Sequence, residues 1–251
     1  MSTSFCFRYH VQTGEWNVTA PLKHARGYHG VAVLNNSIYA VGGVDANDLL
    51  LSSVERYDQE EDKWVVLEKG LYCGRMGMGV AAFQGSLWVV GGIVQISGLQ
   101  TCSTAYVEIY NPATDQWTYA ANYLPSPRTC VSLLNVNDKE LYCFGGIFYN
   151  CVGPTRKLLT IDDILVYSEK KKVWRQVSCM PAPRHNAHVL QYQSQAFVVG
   201  GQDVEKPDHP LTSIMKTPVP AERFSWGPLR DVPLPISAYG AVVIPPLEEH
   251  V

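Results

Sequence analysis

Four glycine pairs, Gly42-Gly43, Gly91-Gly92, Gly145-Gly146 and Gly200-Gly201, recur along the chain at separations of 49, 54 and 55 residues. Self-similarity at such a period marks one supersecondary unit used repeatedly, and each unit buries its faces only against its neighbours. Each pair closes an apolar, aromatic run: Ile38–Val41, Leu87–Val90, Leu141–Phe144 and Ala196–Val199. Arg26, Arg75 and Arg184 lie 16 residues ahead of the first glycine of their pair, and Arg128 lies 17 ahead. A tyrosine and a tryptophan seven positions apart follow at Tyr57 and Trp64, Tyr110 and Trp117, and Tyr167 and Trp174, and Tyr9 and Trp16 repeat the spacing at the start.

Each unit reads as four short strands. The first follows the arginine, and a tight turn such as Asn35-Asn36 leads to the second, which ends at the glycine pair. After a variable loop the third strand ends at the tyrosine, and a polar turn leads to the fourth, which carries the tryptophan. Strands of this length between turn clusters, with no 3.6-residue period, predict an all-β chain. A strand that ends near a crowded axis needs glycine there for close approach or positive φ. Large aromatics on the outer strands fill the widening gap between sheets. Stacking the sheets in a ring covers both faces and protects their edges.

Arginine, glycine pair and Tyr-x6-Trp, in that order, resemble the kelch repeat, and the run from His24 to Trp64 is similar to the repeats of BTB-kelch proteins. The resemblance implies a kelch β-propeller over the whole chain, residues 1–251: a partial repeat at 5–22, four full blades at about 23–71, 72–124, 125–180 and 181–231, and a closing strand at 236–244. Residues 5–16 match only the second half of a repeat, and 236–244 only its first strand. Two architectures fit: an N-terminally truncated six-bladed ring, or a five-bladed ring closed by the terminal pieces. In the last unit Val219 takes the tyrosine position, and Pro207, Pro210, Pro218 and Pro220 interrupt the expected third strand.

The resemblance also implies a role: a non-catalytic protein-binding module, the substrate-recognition propeller of a cullin-RING ubiquitin ligase adaptor. BTB and BACK segments, which dock the cullin in that family, are not found in these residues. An actin-associated structural protein is the alternative. Partner peptides or degrons are expected on the channel face, where the loop entering each first strand and the loop after each glycine pair converge. Arg26, Arg75, Arg128 and Arg184 are expected there as a ring, with Tyr28, Gly77, Cys130 and Asn186 beside them. A guanidinium fork suits carboxylate or phosphate recognition. The alternative role for these arginines is to bond backbone carbonyls and lock one blade to the next. The variable loops, 45–50, 94–102, 148–157 and 203–209, are the specificity candidates, and Phe148, Tyr149, Arg156 and Lys157 form an aromatic–basic patch in the longest of them.

Composition sets what is excluded. Net charge is −3 with no basic cluster, which argues against nucleic acid. Charged residues are 17%, below the roughly 25% of ordinary domains, while 20 Gly and 16 Pro supply the turns. No apolar run approaches the roughly 18 residues of a membrane span, and the N-terminus shows no secretory leader, so a cytoplasmic setting is expected. Seven cysteines without a Cys-x-x-Cys read as free, buried thiols. His185 and His188 with His29 offer a weak metal reading, because residues three apart on a strand face opposite sides. No nucleophile elbow, phosphate loop or zinc-hydrolase motif is present. No cofactor, metal or enzymatic activity is expected.

Overall fold

The computed structural model describes all residues except 1, 99, 151–156, 207–209, 222–223, 238–239 and 243–251. Among the described residues there is no helix. An N-terminal hairpin pairs β1 (Cys6–His10) with β2 (Glu15–Thr19). The first four-stranded sheet is β3 (Gly30–Leu34), β4 (Ser37–Val41), β5 (Val54–Asp58) and β6 (Lys63–Val66), in that order and antiparallel throughout. Next come β7 (Arg75–Met76), β8 (Gly79–Phe83), β9 (Ser86–Val90), β10 (Ile93–Ser97), β11 (Gln100–Ser103), β12 (Val107–Asn111) and β13 (Gln116–Tyr119). The second sheet takes β8, β9, β12 and β13 from these.

The third unit supplies β14 (Ser132–Val136), β15 (Glu140–Phe144), β16 (Ile147–Asn150), β17 (Lys157–Thr160), β18 (Asp163–Ser168) and β19 (Val173–Cys179). Its sheet runs β14-β15-β18-β19. The fourth sheet is β20 (His188–Tyr192), β21 (Gln195–Val199), β22 (Ile214–Pro218) and the short β23 (Gly227–Pro228). Pro218 closes β22 at its last position, where a missing N–H costs the ladder least.

The core lies between adjacent sheets rather than within one. Tyr57 and Trp64 pack against Leu22 beneath the N-terminal hairpin. Tyr110 and Trp117 pack on Leu34, Tyr39 and Val41 of the first sheet. Tyr167 and Trp174 pack on Phe83 and Trp88 of the second, and Trp226 lies against the third. Each aromatic pair thus fills the gap to the preceding sheet. The paired rings sit 5.1 Å apart in the first and second sheets and 5.5 Å in the third. Tyr57 also donates its hydroxyl to Asp62 (2.5 Å), and Tyr110 to Asp115 (2.9 Å), so the tyrosine pins the turn that follows its strand.

The glycine pairs mark where neighbouring units meet. Gly43 has φ 100°, and a Cβ there would lie 2.6 Å from the carbonyl oxygen of Gly27. Its N–H donates to the carbonyl of Arg75 in the next unit (2.8 Å). Gly92 donates likewise to Arg128, Gly146 to Arg184 and Gly201 to Ile236. Ile236 therefore holds the place an arginine holds in the preceding units. Beyond it, Ser237 and Gly240–Val242 join no sheet, and the rest of the expected closing strand lies outside the described residues.

Two of the expected loops are not loops. Nearly all the described residues of 94–102 and 148–157 fall in two paired-strand arms, β10 with β11 and β16 with β17, that join into one five-stranded sheet, β17-β16-β11-β10-β7. The link between the two units is the pairing of Cys102 with Asn150. Each arm leaves an edge that is satisfied by the other. The six described cysteines are free thiols, but only Cys143 is buried and Cys179 is exposed, which corrects the expectation of uniform burial.

Candidate functional site: the channel face

The arginines expected to ring the partner-binding face point into their own sheets instead. Arg26 is 1% exposed, Arg75 and Arg128 are 0%, and Arg184 is 2%. The guanidinium of Arg26 donates to the carbonyls of Gly42 (2.7 Å) and Ser53 (3.1 Å), to the Ser53 hydroxyl (3.2 Å) and to Glu55 Oε1 (2.6 Å). Arg75 repeats this with Gly91 (3.0 Å), Tyr106 (3.3 Å) and the carboxylate of Glu108. Arg128 reaches the Gly145 carbonyl (3.4 Å) and grips Asp163 with both terminal nitrogens. Arg184 donates to Gly200 (2.9 Å), and Ser213 and Met215 lie where the other units place their partners. A fork committed to a carbonyl and a carboxylate inside the sheet has no face left for a ligand. The physical cause is that a buried guanidinium needs acceptors, and the sheet supplies carbonyls and, in the first three units, a carboxylate.

The link between units is made by the arginine's main chain, not its side chain. Its carbonyl accepts from the glycine pair of the preceding unit, as described above. The acid that answers the guanidinium also serves the chain. Glu55 accepts from the N–H groups of Lys23 (2.7 Å) and His24 (3.0 Å). Burial pushes its carboxyl upward, but these two donors and Arg26 outweigh that and hold it below the usual carboxylate range.

The channel itself is lined by the residues two positions beyond each arginine. The N–H of Gly77 donates to the carbonyl of Tyr28 (2.8 Å), Cys130 to Gly77 (2.6 Å) and Asn186 to Cys130 (3.1 Å). All four residues have positive φ, from 52° to 64°. This left-handed step turns each main chain so that its N–H and C=O run round the axis to the next unit. The belt leaves side chains free to face the opening. Tyr28 is 62% exposed, and Tyr28 and Asn186 both border a cavity of about 770 Å³ with His29, Met78, Cys130 and His188. Burial, and then the charge of Arg26, lower the His29 imidazole to about 4, so it is neutral at ordinary pH. His185 is buried with its Nδ1 3.4 Å from the Thr160 hydroxyl, whereas His188 borders the channel. The two do not converge on a metal.

Phe148 and Tyr149 lie in β16, an inner strand of the five-stranded sheet, opposite Leu159 and Leu158. Tyr149 exchanges both main-chain groups with the Ser103 hydroxyl (3.1 Å each), which fastens the two hairpins together. Successive side chains on a strand point to opposite faces, so the two aromatics do not form one loop patch. Arg156 lies outside the described residues. The hairpin sheet, including the Lys157 end of its edge strand, was not legible in advance because pairing between two insertions leaves no repeat signal.

The kelch-repeat family described as the KLHDC2/KLHL20/DRC7 Kelch-repeats domain matches residues 2–205. The chain belongs to the kelch-repeat family. It is 28% identical to alpha-scruin of Limulus polyphemus over 98% of this chain and 26% of that protein. It is 27% identical to Kelch-like protein 35 of Mus musculus over 78% of this chain and 30% of that protein. The chain thus spans less than a third of the length of either relative. The solved structure of YjhT superposes with a TM-score of 0.71 at 18% identity, covering 87% of this chain and 68% of that one, and shares the fold. The protein is an all-β kelch propeller. No helix among the described residues is long and apolar enough to cross a membrane.

Proposed function

We propose that the channel face binds a protein partner, and that the propeller is the substrate-recognition part of a cullin-RING ligase adaptor. Likeness to kelch-like proteins supports the adaptor reading. The observation that carries the binding reading is the channel mouth. The arginines, the glycine pairs and the tyrosine–tryptophan pairs of the first three sheets are consumed by the fold, whereas the side chains of Tyr28 and Asn186 border an open cavity. A tyrosine that keeps its ring exposed beside a cavity of mixed polar and apolar lining is the residue type that dominates binding energy at interfaces. The partner is a protein segment bearing a degron, the setting is cytoplasmic, and no catalysis is involved.

The test is affinity capture from cytosol followed by mass spectrometry, with the parent chain beside Tyr28→Asn, a substitution that tolerates positive φ. A partner retained by the parent and lost by the variant, with the circular dichroism unchanged, supports the reading. Equal capture by both overturns it. If the captured protein turns over more slowly when the chain is overexpressed, the adaptor role is supported; unchanged turnover counts against it. Replacing all four arginines together is not a clean probe, because each is bonded inside its own sheet and its loss is expected to lower stability as well.

A second reading, an actin-associated structural role, is kept for one reason. Alpha-scruin, which matches 98% of the chain, is not named as a kelch-like adaptor. Co-sedimentation with actin filaments separates the two.

A further inference from the structure

A second surface lies on the outer rim of the same face and belongs to one unit alone. Tyr72 precedes β7, Tyr106 stands just ahead of β12, Tyr119 ends β13, and Tyr123 lies in the connection beyond it. The N–H of Gly91 donates to the Tyr106 carbonyl (3.1 Å), which puts the group at the glycine-pair end of the second sheet. The four rings are 60%, 45%, 42% and 45% exposed. They nevertheless pack on one another. Tyr72 stacks on Tyr119 with centroids 4.9 Å apart, Tyr106 meets Tyr123 edge-on at 4.7 Å, and Tyr119 meets Tyr106 and Tyr123 edge-on at 5.8 and 6.5 Å.

The repeat does not need these rings. By strand register and inter-unit bonding, the positions of Tyr106, Tyr119 and Tyr123 hold Ser53, Val66 and Gly70 in the first sheet, and Asp163, Gln176 and Cys179 in the third. The group is also held ready. Tyr72 donates its N–H to Glu108 (2.8 Å) and its hydroxyl to the Trp117 carbonyl, and the remaining rings brace one another. Binding on a braced platform loses little side-chain freedom.

The chemistry of the platform selects its occupant. Glu108 beneath it is fully buried, with one oxygen taken by Arg75 and the other by Tyr72, so no free carboxylate faces a cation. Rings this close leave no slot between them for an ammonium group. The hydroxyls of Tyr106, Tyr119 and Tyr123 have no hydrogen-bond partner among the described residues. Uncharged rings edged with free O–H donors suit a ligand that offers flat apolar rings and unbonded carbonyls. Polyproline II backbone has no internal hydrogen bonds and presents both.

We propose that this tyrosine platform binds an extended proline-rich segment of a partner protein, independently of the channel. The test is calorimetric titration of the chain with a decaproline peptide, beside hexaarginine and a Gly-Ser decapeptide. Saturable decaproline binding is expected, weakened at least tenfold by Tyr106→Ala and by Tyr123→Ala, and only a few-fold by Tyr123→Phe. Both alanine positions are exposed, and a melting curve checks that each variant is folded. Tyr28→Asn leaves this binding unchanged, so the channel reading and this one fail separately. Absence of saturable decaproline binding by the folded parent overturns the proposal, as does affinity unaffected by Tyr106→Ala. Tighter binding of hexaarginine than of decaproline, lost in Tyr106→Ala, also overturns it and assigns the platform to a cation.

Discussion

The buried Arg26 makes a graded prediction, because its guanidinium bonds both main-chain carbonyls and a carboxylate. In Arg26→Met the aliphatic stem is replaced and packing is largely kept, so the loss is polar. The Gly42 carbonyl loses the guanidinium donor and the Ser53 carbonyl keeps only the N–H of Gly42, at about 1 kcal/mol for each bond lost. Glu55, itself 0% exposed, keeps two N–H donors but loses its cation. Removing one member of a buried pair typically costs about 3–5 kcal/mol in all. Adding Glu55→Gln to Arg26→Met removes the stranded charge while the amide oxygen still accepts, and about 2 kcal/mol should return. Urea unfolding followed by tryptophan fluorescence at pH 7 reads these differences as shifts in midpoint at constant slope. If the double variant is no more stable than the single, the ion pair is not what the arginine is there to make. If Arg26→Met abolishes partner capture without lowering stability, the guanidinium reaches the partner after all.

Other outcomes follow from the same geometry. His29 titrates near 4 in the folded chain and near 6.5 unfolded, so below pH 6.5 the unfolded state binds the extra proton. Its contribution is intact above pH 6.5 and lost toward pH 4, about 3 kcal/mol in total; His29→Gln should flatten that limb of the stability–pH curve, and an unchanged limb contradicts the assignment. Gly43→Ala places a Cβ against the Gly27 carbonyl at a φ of 100°, and thermal melting should show a loss of about 3 kcal/mol or more. Tyr57→Phe removes the bond to Asp62 and should cost about 0.5–1.5 kcal/mol. Tyr167→Phe should cost almost nothing, because Lys172 stands where Asp62 stands; equal losses would show that the hydroxyl does not act through the turn.

Much of the fold was legible because it is periodic. The turn at Asn35-Asn36 takes positive φ at both residues, as a two-residue hairpin turn of that composition requires. In the first three sheets the tyrosine–tryptophan spacing placed both rings in the gaps, where one residue pair per unit has to fill the same wedge, whereas Tyr9 and Trp16 lie exposed on the N-terminal hairpin. The site was less legible. An arginine that recurs with the repeat reads equally as a ligand or as a brace, and spacing carries no sign of which way a side chain points. Tyr28 and Asn186 were identified only as neighbours of those arginines, yet they are the ones that face the channel.

By itself, then, the sequence determined the repeating unit, its four strands and the residues that mark its joints, since local turn chemistry and apolar patterning act over short stretches. Tertiary structure alone decided three things. It turned the arginines inward, because Glu55, Glu108 and Asp163 arrive from a strand some thirty residues away. It joined two insertions into one sheet across neighbouring units. And it gathered Tyr72, Tyr106, Tyr119 and Tyr123, which no spacing rule connects, onto one surface. Contacts of this kind form between residues far apart in the chain, and their partners are fixed only when the sheets pack.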